Sequence, residues 1–233
     1  MASKIRSATH LKSLVFGGLA SFCLAFAAQA QNNGLPNREQ SVVLLELITT
    51  KGAECDLLDP WEVAAIRAMM EQEMSGWSTQ RRRTVAESAS DKIAEADCET
   101  PVVTNWIDAS KPNMQGEMLP GFLLTYKTIA QMDTPPLVFT MSALRLDTRP
   151  VIDAIDAKLA ELEASGATAE GGKPWPEYIE GTTNQIHTVM AGYMSDEADA
   201  RMPPDQVAGL IAQAVMITKI WYEGETVEAE PDE

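Results

Sequence analysis

The chain has 233 residues, of which 45% are hydrophobic and 22% charged, and a formal net charge of −16. That length can bury a sizeable core. The acidic balance excludes nucleic acid as a partner and opposes binding to anionic lipid.

The first thirty residues read as a secretory signal peptide. Lys4, Arg6 and Lys12 precede an apolar run from Leu14 to Ala28, and Ala28-Gln29-Ala30 forms an A-x-A cleavage site. The run is shorter than the roughly 18 to 20 residues that span a bilayer. The expected product is therefore soluble, periplasmic or secreted, with no membrane insertion after cleavage. Cys23 follows Phe22, not a small residue, which argues against lipidation. Loss of the three positive charges takes the formal charge from −16 to −19. Residues 31–36 read as a flexible N-terminus and 37–224 as a single helical domain. Residues 225–233 (ETVEAEPDE) read as an acidic, disordered tail.

In chain order, SVVLLELI (41–48) is apolar on nearly every side, the pattern of a central helix or of a strand; the distance between Pro36 and Gly52 favours a helix. Asp59-Pro60 supplies an N-cap and an N1 proline, and Val63, Ile66, Met70 and Met74 then share a helical face. A helix is expected from Ser78 to Asp97 on a thin stripe of Val85, Ala89 and Ile93. LVFTMSAL (137–144) fits helix or strand. Over 149–164, Ile152, Ile155, Leu159 and Leu162 face inward and the acidic residues outward. GATAEGGKPWP (166–176) is the best internal loop, and a helix is drawn through 177–194. The clearest helix is 204–223, where Val207, Leu210, Ile211, Ala214, Val215, Thr218, Trp221 and Tyr222 keep the i, i+3, i+4, i+7 spacing; Gly224 marks its expected end. The expectation is an all-α protein, a bundle of about six to eight helices with one disulfide.

That disulfide is expected between Cys55 and Cys98, the pair left after signal cleavage in an oxidising compartment. Glu54 and Asp56 flank one cysteine, Asp97 and Glu99 the other. Carboxylates disfavour the thiolate that a redox or nucleophilic cysteine needs, so the pair reads as a structural staple.

Motifs for phosphate loops, dinucleotide binding, nucleophile elbows, zinc proteases and EF-hands are absent from the sequence. After cleavage His187 is the single histidine, which excludes a multi-histidine metal site within one chain. His187, Met190 and Met194 share a helical face whose donors suit Cu(I); core packing by methionine is the favoured alternative. Arg81, Arg82 and Arg83 at a helix start offer an anion site or, as favoured, internal ion pairs. Trp175, held between Pro174 and Pro176 with Tyr178 nearby, offers a ligand platform or, as favoured, a lid on the core edge. No cofactor is called for. The function expected is a non-enzymatic binding or interaction protein for a protein, peptide or small ligand. The alternatives are a hydrolase using carboxylates, or a soft-metal binder through the His/Met face.

Overall fold

The computed structural model describes residues 37–136, 147–194 and 203–228. It is all-α with one disulfide: no strand occurs among the described residues, only an isolated bridge between Ala169 and Lys173. The expected signal peptide, the 31–36 segment and LVFTMSAL at 137–144 lie outside the described residues. The chain gathers into two compact units that divide between Ser110 and Lys111.

The first unit is built on α1 (Asn37–Glu54), α2 (Pro60–Glu73) and α3 (Thr79–Glu95), followed by α4 (Pro101–Asn113), which crosses the division. The apolar run at 41–48 is helical. Val42, Val43, Leu45, Leu47 and Ile48 are all buried, so α1 is the central helix that packs on both α2 and α3. It ends in a Schellman motif: Leu57 N–H donates to Gly52 O at 2.8 Å, Asp56 N–H to Ala53 O at 3.5 Å, and Asp56 takes φ +53°. The chain turns so tightly that Leu58 lies on Gly52, where a Cβ would meet the leucine Cδ1 at 2.5 Å. A capping box then opens α2, with Asp59 N–H donating to Glu62 Oε2 at 2.8 Å. The buried face of α2 is Trp61, Glu62, Ala65, Ile66 and Met70; the expected Val63 and Met74 are only half-buried. On α3, Val85 and Ala89 are buried as expected, and Ser78 caps it by accepting from Arg81 N–H.

The Cys55–Cys98 bridge, with Cα atoms 5.7 Å apart, joins the turn after α1 to the turn after α3. Those helices therefore run parallel, and α2, its end tied to the start of α1 by Arg38–Glu73, packs antiparallel against α1. Closing a loop of about 44 residues stabilises the unit by roughly 4 kcal/mol in the chain-entropy model.

In the second unit α5 (Leu119–Ala130) is central and packs against α6 (Thr148–Ala164), α7 (Trp175–Met194) and α8 (Pro204–Glu228). Its Leu119, Leu123, Leu124, Tyr126 and Ile129 are nearly inaccessible to solvent. On α6 the buried stripe is Val151, Ile155 and Leu159, and on α8 it is Val207, Ile211, Ala214, Val215, Thr218 and Trp221, joined by Ile217. Gly224 does not stop α8, which runs on to Glu228. The glycine keeps a negative φ and costs a helix interior about 1 kcal/mol, too little to break a 25-residue helix anchored by that stripe. The expected disordered tail thus begins as helix, and 229–233 lie outside the described residues. The 166–176 loop holds a short 3-10 turn, Glu170–Gly172. Gly171 and Gly172 take positive φ there, which lets Ala169 N–H donate to Lys173 O at 2.9 Å.

Between α4 and α5 lies a π-turn, Met114–Met118, in which Leu119 N–H donates five residues back to Met114 O. Pro112 and Pro120 explain it. Neither offers an N–H, and a proline ring presses on the carbonyl four residues before it. A turn one residue wider accommodates Pro120 without ending the helix. The helical run 101–130 hides its period in the sequence, because Pro112, Gly116, Pro120 and Gly121 all read as breakers.

Candidate functional site

Each arginine of the triplet has a carboxylate partner. Arg81 Nε donates to Glu39 Oε1 at 2.6 Å, and its guanidinium lies 3.9 Å from the centre of the Trp77 ring. Arg82 donates to Glu71 Oε2 at 2.9 Å and to the carbonyl of Met74 at 2.8 Å. Arg83 pairs with Glu87 at 2.8 Å along its own helix. Arg38 pairs with Glu73. The contacts of Arg38, Arg81 and Arg82 therefore join the start of α1, the end of α2 and the start of α3.

Glu39 is the buried member, 7% exposed, and its Oε2 has no hydrogen-bond partner among the described residues. Burial pushes its carboxyl up. Burial is the largest single influence, but the hydrogen bond from Arg81, its own backbone N–H and the charges of Arg81 and Arg38 together exceed it. The carboxyl is held below its ordinary value.

Trp175 and Tyr178 are both buried, their rings edge to face with centroids 5.5 Å apart. Trp175 opens α7 instead of extending the loop, because Pro176 falls in the first helical turn, where no N–H is needed. The Trp175 indole N–H has no partner, and the Tyr178 hydroxyl donates to Glu117 O in the π-turn at 3.5 Å. Glu117 is a half-buried carboxyl: burial pushes it above its ordinary range, and a hydrogen bond with the Asn113 side chain pulls it partway back. Sequence reasoning passed over Glu117; two prolines eight residues apart inside an apolar stretch are the one signal that could have led to it.

The His/Met stripe of α7 is divided between core and surface. Met190 is 3% exposed, while His187 is exposed and Met194 is 44% exposed. Among the described residues no group of three or more His, Cys, Asp or Glu side chains is placed to hold a metal ion, and no helix is long and apolar enough to cross a membrane.

The bridge carries its acidic neighbours with it. Asp56, Asp97 and Glu99 are exposed, as are Glu54 and Glu95. Asp97 is occupied locally, accepting from the Thr100 hydroxyl at 2.9 Å and from Glu99 N–H at 3.1 Å. These carboxylates, of which Glu54 is paired with Lys51 at 2.8 Å, form an acidic rim beside the disulfide, while each arginine of the triplet is paired with a carboxylate of the chain. The chain matches no protein-family model, no curated protein and no solved structure.

Proposed function

We propose that this is an exported, non-enzymatic interaction protein whose partner is a protein or peptide with a basic face. The observation that carries the reading is the charge distribution just described: each arginine of the triplet already paired with a carboxylate of its own chain, and exposed carboxylates beside the Cys55–Cys98 bridge. Export is supported by the signal-like first thirty residues and by a disulfide that suits an oxidising compartment. Such a surface speeds encounter with cationic partners and repels anionic ones. The test is to immobilise the oxidised chain and a variant with Asp56, Glu95, Asp97 and Glu99 changed to amides, and challenge both with the exported proteins of the same cell. A partner held by the first, released by salt and lost by the second supports the reading. Equal retention by both overturns it.

A second reading, hydrolysis through a carboxyl group, is favoured by one observation. Glu117 is a half-buried acid with a raised pKa at a π-turn, the kind of environment that suits a general acid. Turnover of any glycoside or ester by the purified chain, abolished by Glu117→Gln, would put this reading first.

A further inference from the structure

The first unit is held at its two ends by different forces. At one end the Cys55–Cys98 bridge joins the turns after α1 and α3. At the other, Arg38–Glu73, Arg81–Glu39 and Arg82–Glu71 hold the start of α1, the end of α2 and the start of α3. Arg38 and Glu71 face water freely, at 65% and 66% exposure, where ion pairs contribute little. Glu39 differs, being buried and accepting from Arg81 alone among side chains. The charges that act on it are Arg38 on its own helix and Arg81 from α3; the other ionisable groups at this end, Glu73 and Glu71 of α2 and Arg82 of α3, are held in the Arg38–Glu73 and Arg82–Glu71 pairs.

We propose that this end is an acid-released clasp: protonation of Glu39 frees the α2–α3 turn, with Trp77, from the start of α1, while the disulfide keeps α1 and α3 joined at the far end. A neutral Glu39 no longer holds the Arg81 guanidinium, which is then drawn back to water from its place over Trp77. The sign follows from the depressed carboxyl. Its stabilising contribution is complete above the ordinary glutamate value of 4.5 and is lost as pH falls through the lower, folded value. The clasp stays closed at neutral pH and opens in acid. What opens is local, because the bridge limits how far α3 can leave α1.

Hydrogen exchange read by mass spectrometry, on the chain with its disulfide intact, tests this from pH 7 to about pH 3, corrected for intrinsic exchange. Amides in the first turns of α1 and α3 (41–44 and 82–86) are expected to exchange about tenfold faster or more at the acid end, the effect of losing one charge-assisted hydrogen bond. Those of α5 keep their protection. Glu39→Gln should reproduce the opening at pH 7, and Arg83→Gln, which touches only Glu87, should not. The wild-type titration stands without either variant. Loss of protection in 82–86 only in step with α5, or unchanged protection in Glu39→Gln at pH 7, overturns the proposal.

Discussion

Two threonines offer a comparison in which one substitution should have opposite effects. Thr49 in α1 and Thr218 in α8 are each 0% exposed in a helix interior. The Thr49 hydroxyl donates to Leu45 O at 2.6 Å, whereas the Thr218 hydroxyl has no partner among the described residues. Valine keeps the β-branched shape and replaces the hydroxyl with a methyl group, so helix propensity and volume nearly cancel. At Thr218 the change removes a buried, unsatisfied polar group, whose penalty is about 1–3 kcal/mol, so Thr218→Val should stabilise the fold by about 1–2 kcal/mol. At Thr49 it removes a made hydrogen bond and should cost about 1 kcal/mol. With a urea slope of about 2 kcal/mol per molar, the midpoint should rise by roughly 0.5–1 M for Thr218→Val and fall by about half a molar for Thr49→Val, at unchanged slope. Trp221, one turn beyond Thr218, also has a buried N–H without a partner. If a water molecule served both groups, Thr218→Val would destabilise instead. A fall in midpoint for Thr218→Val would refute the reasoning.

Replacing Cys55 and Cys98 together with serine should cost roughly 4 kcal/mol in the first unit with little loss of helical circular dichroism, and the wild type should show no alkylatable thiol at these two positions before reduction. Gly52→Ala should destabilise by about 1–3 kcal/mol in thermal unfolding, since its Cβ would meet Leu58 at 2.5 Å and Ile107 at 3.3 Å. Glu117→Gln should raise stability at pH 7, because a carboxyl whose folded pKa is raised opposes folding once ionised; the gain should vanish as pH falls below its ordinary value of 4.5. In a thermal-shift screen of small anions, changing Arg81, Arg82 and Arg83 to glutamine should lower the melting temperature and alter the response to no anion, since every guanidinium already has a carboxylate.

What the sequence made legible followed from local rules. Asp59-Pro60 announces α2, and the i, i+3, i+4 stripe of α8 finds its buried residues except Ile217, while its Leu210 and Tyr222 are only half-buried. The cysteine pair is readable from count and compartment alone. The run 101–130 was illegible because its prolines and glycines act as breakers in isolation and become helical only through the π-turn. The α2 stripe was misplaced because Glu62, a charged residue, is fully buried by serving the cap, and apolar periodicity cannot anticipate that. The Glu39–Arg81 pair spans 42 residues and exists only once α1 and α3 run parallel, so no spacing in the sequence reveals it. Glu117 was hidden for the same reason as its helix: its environment is set by burial, not by neighbours along the chain.

The acidic flanks of the bridge bear on its lifetime as well as its formation. Disulfides are broken by thiolates, which arrive as anions and must reach a sulfur atom along a line of approach. Cys98 is exposed, so the route is open in space, yet Asp97 and Glu99 flank it and Asp56 flanks Cys55; Glu54, already paired with Lys51 at 2.8 Å, adds little. Each unit of like charge at about 4 Å opposes that approach by about 1 kcal/mol in bulk water, and by more where water is partly excluded. A cysteine released by attack also becomes a poor leaving group, because the same carboxylates raise the cost of its thiolate. Reduction is thus slowed at entry and again at departure. A bond that sits on the surface, in reach of every small thiol, is guarded by charge.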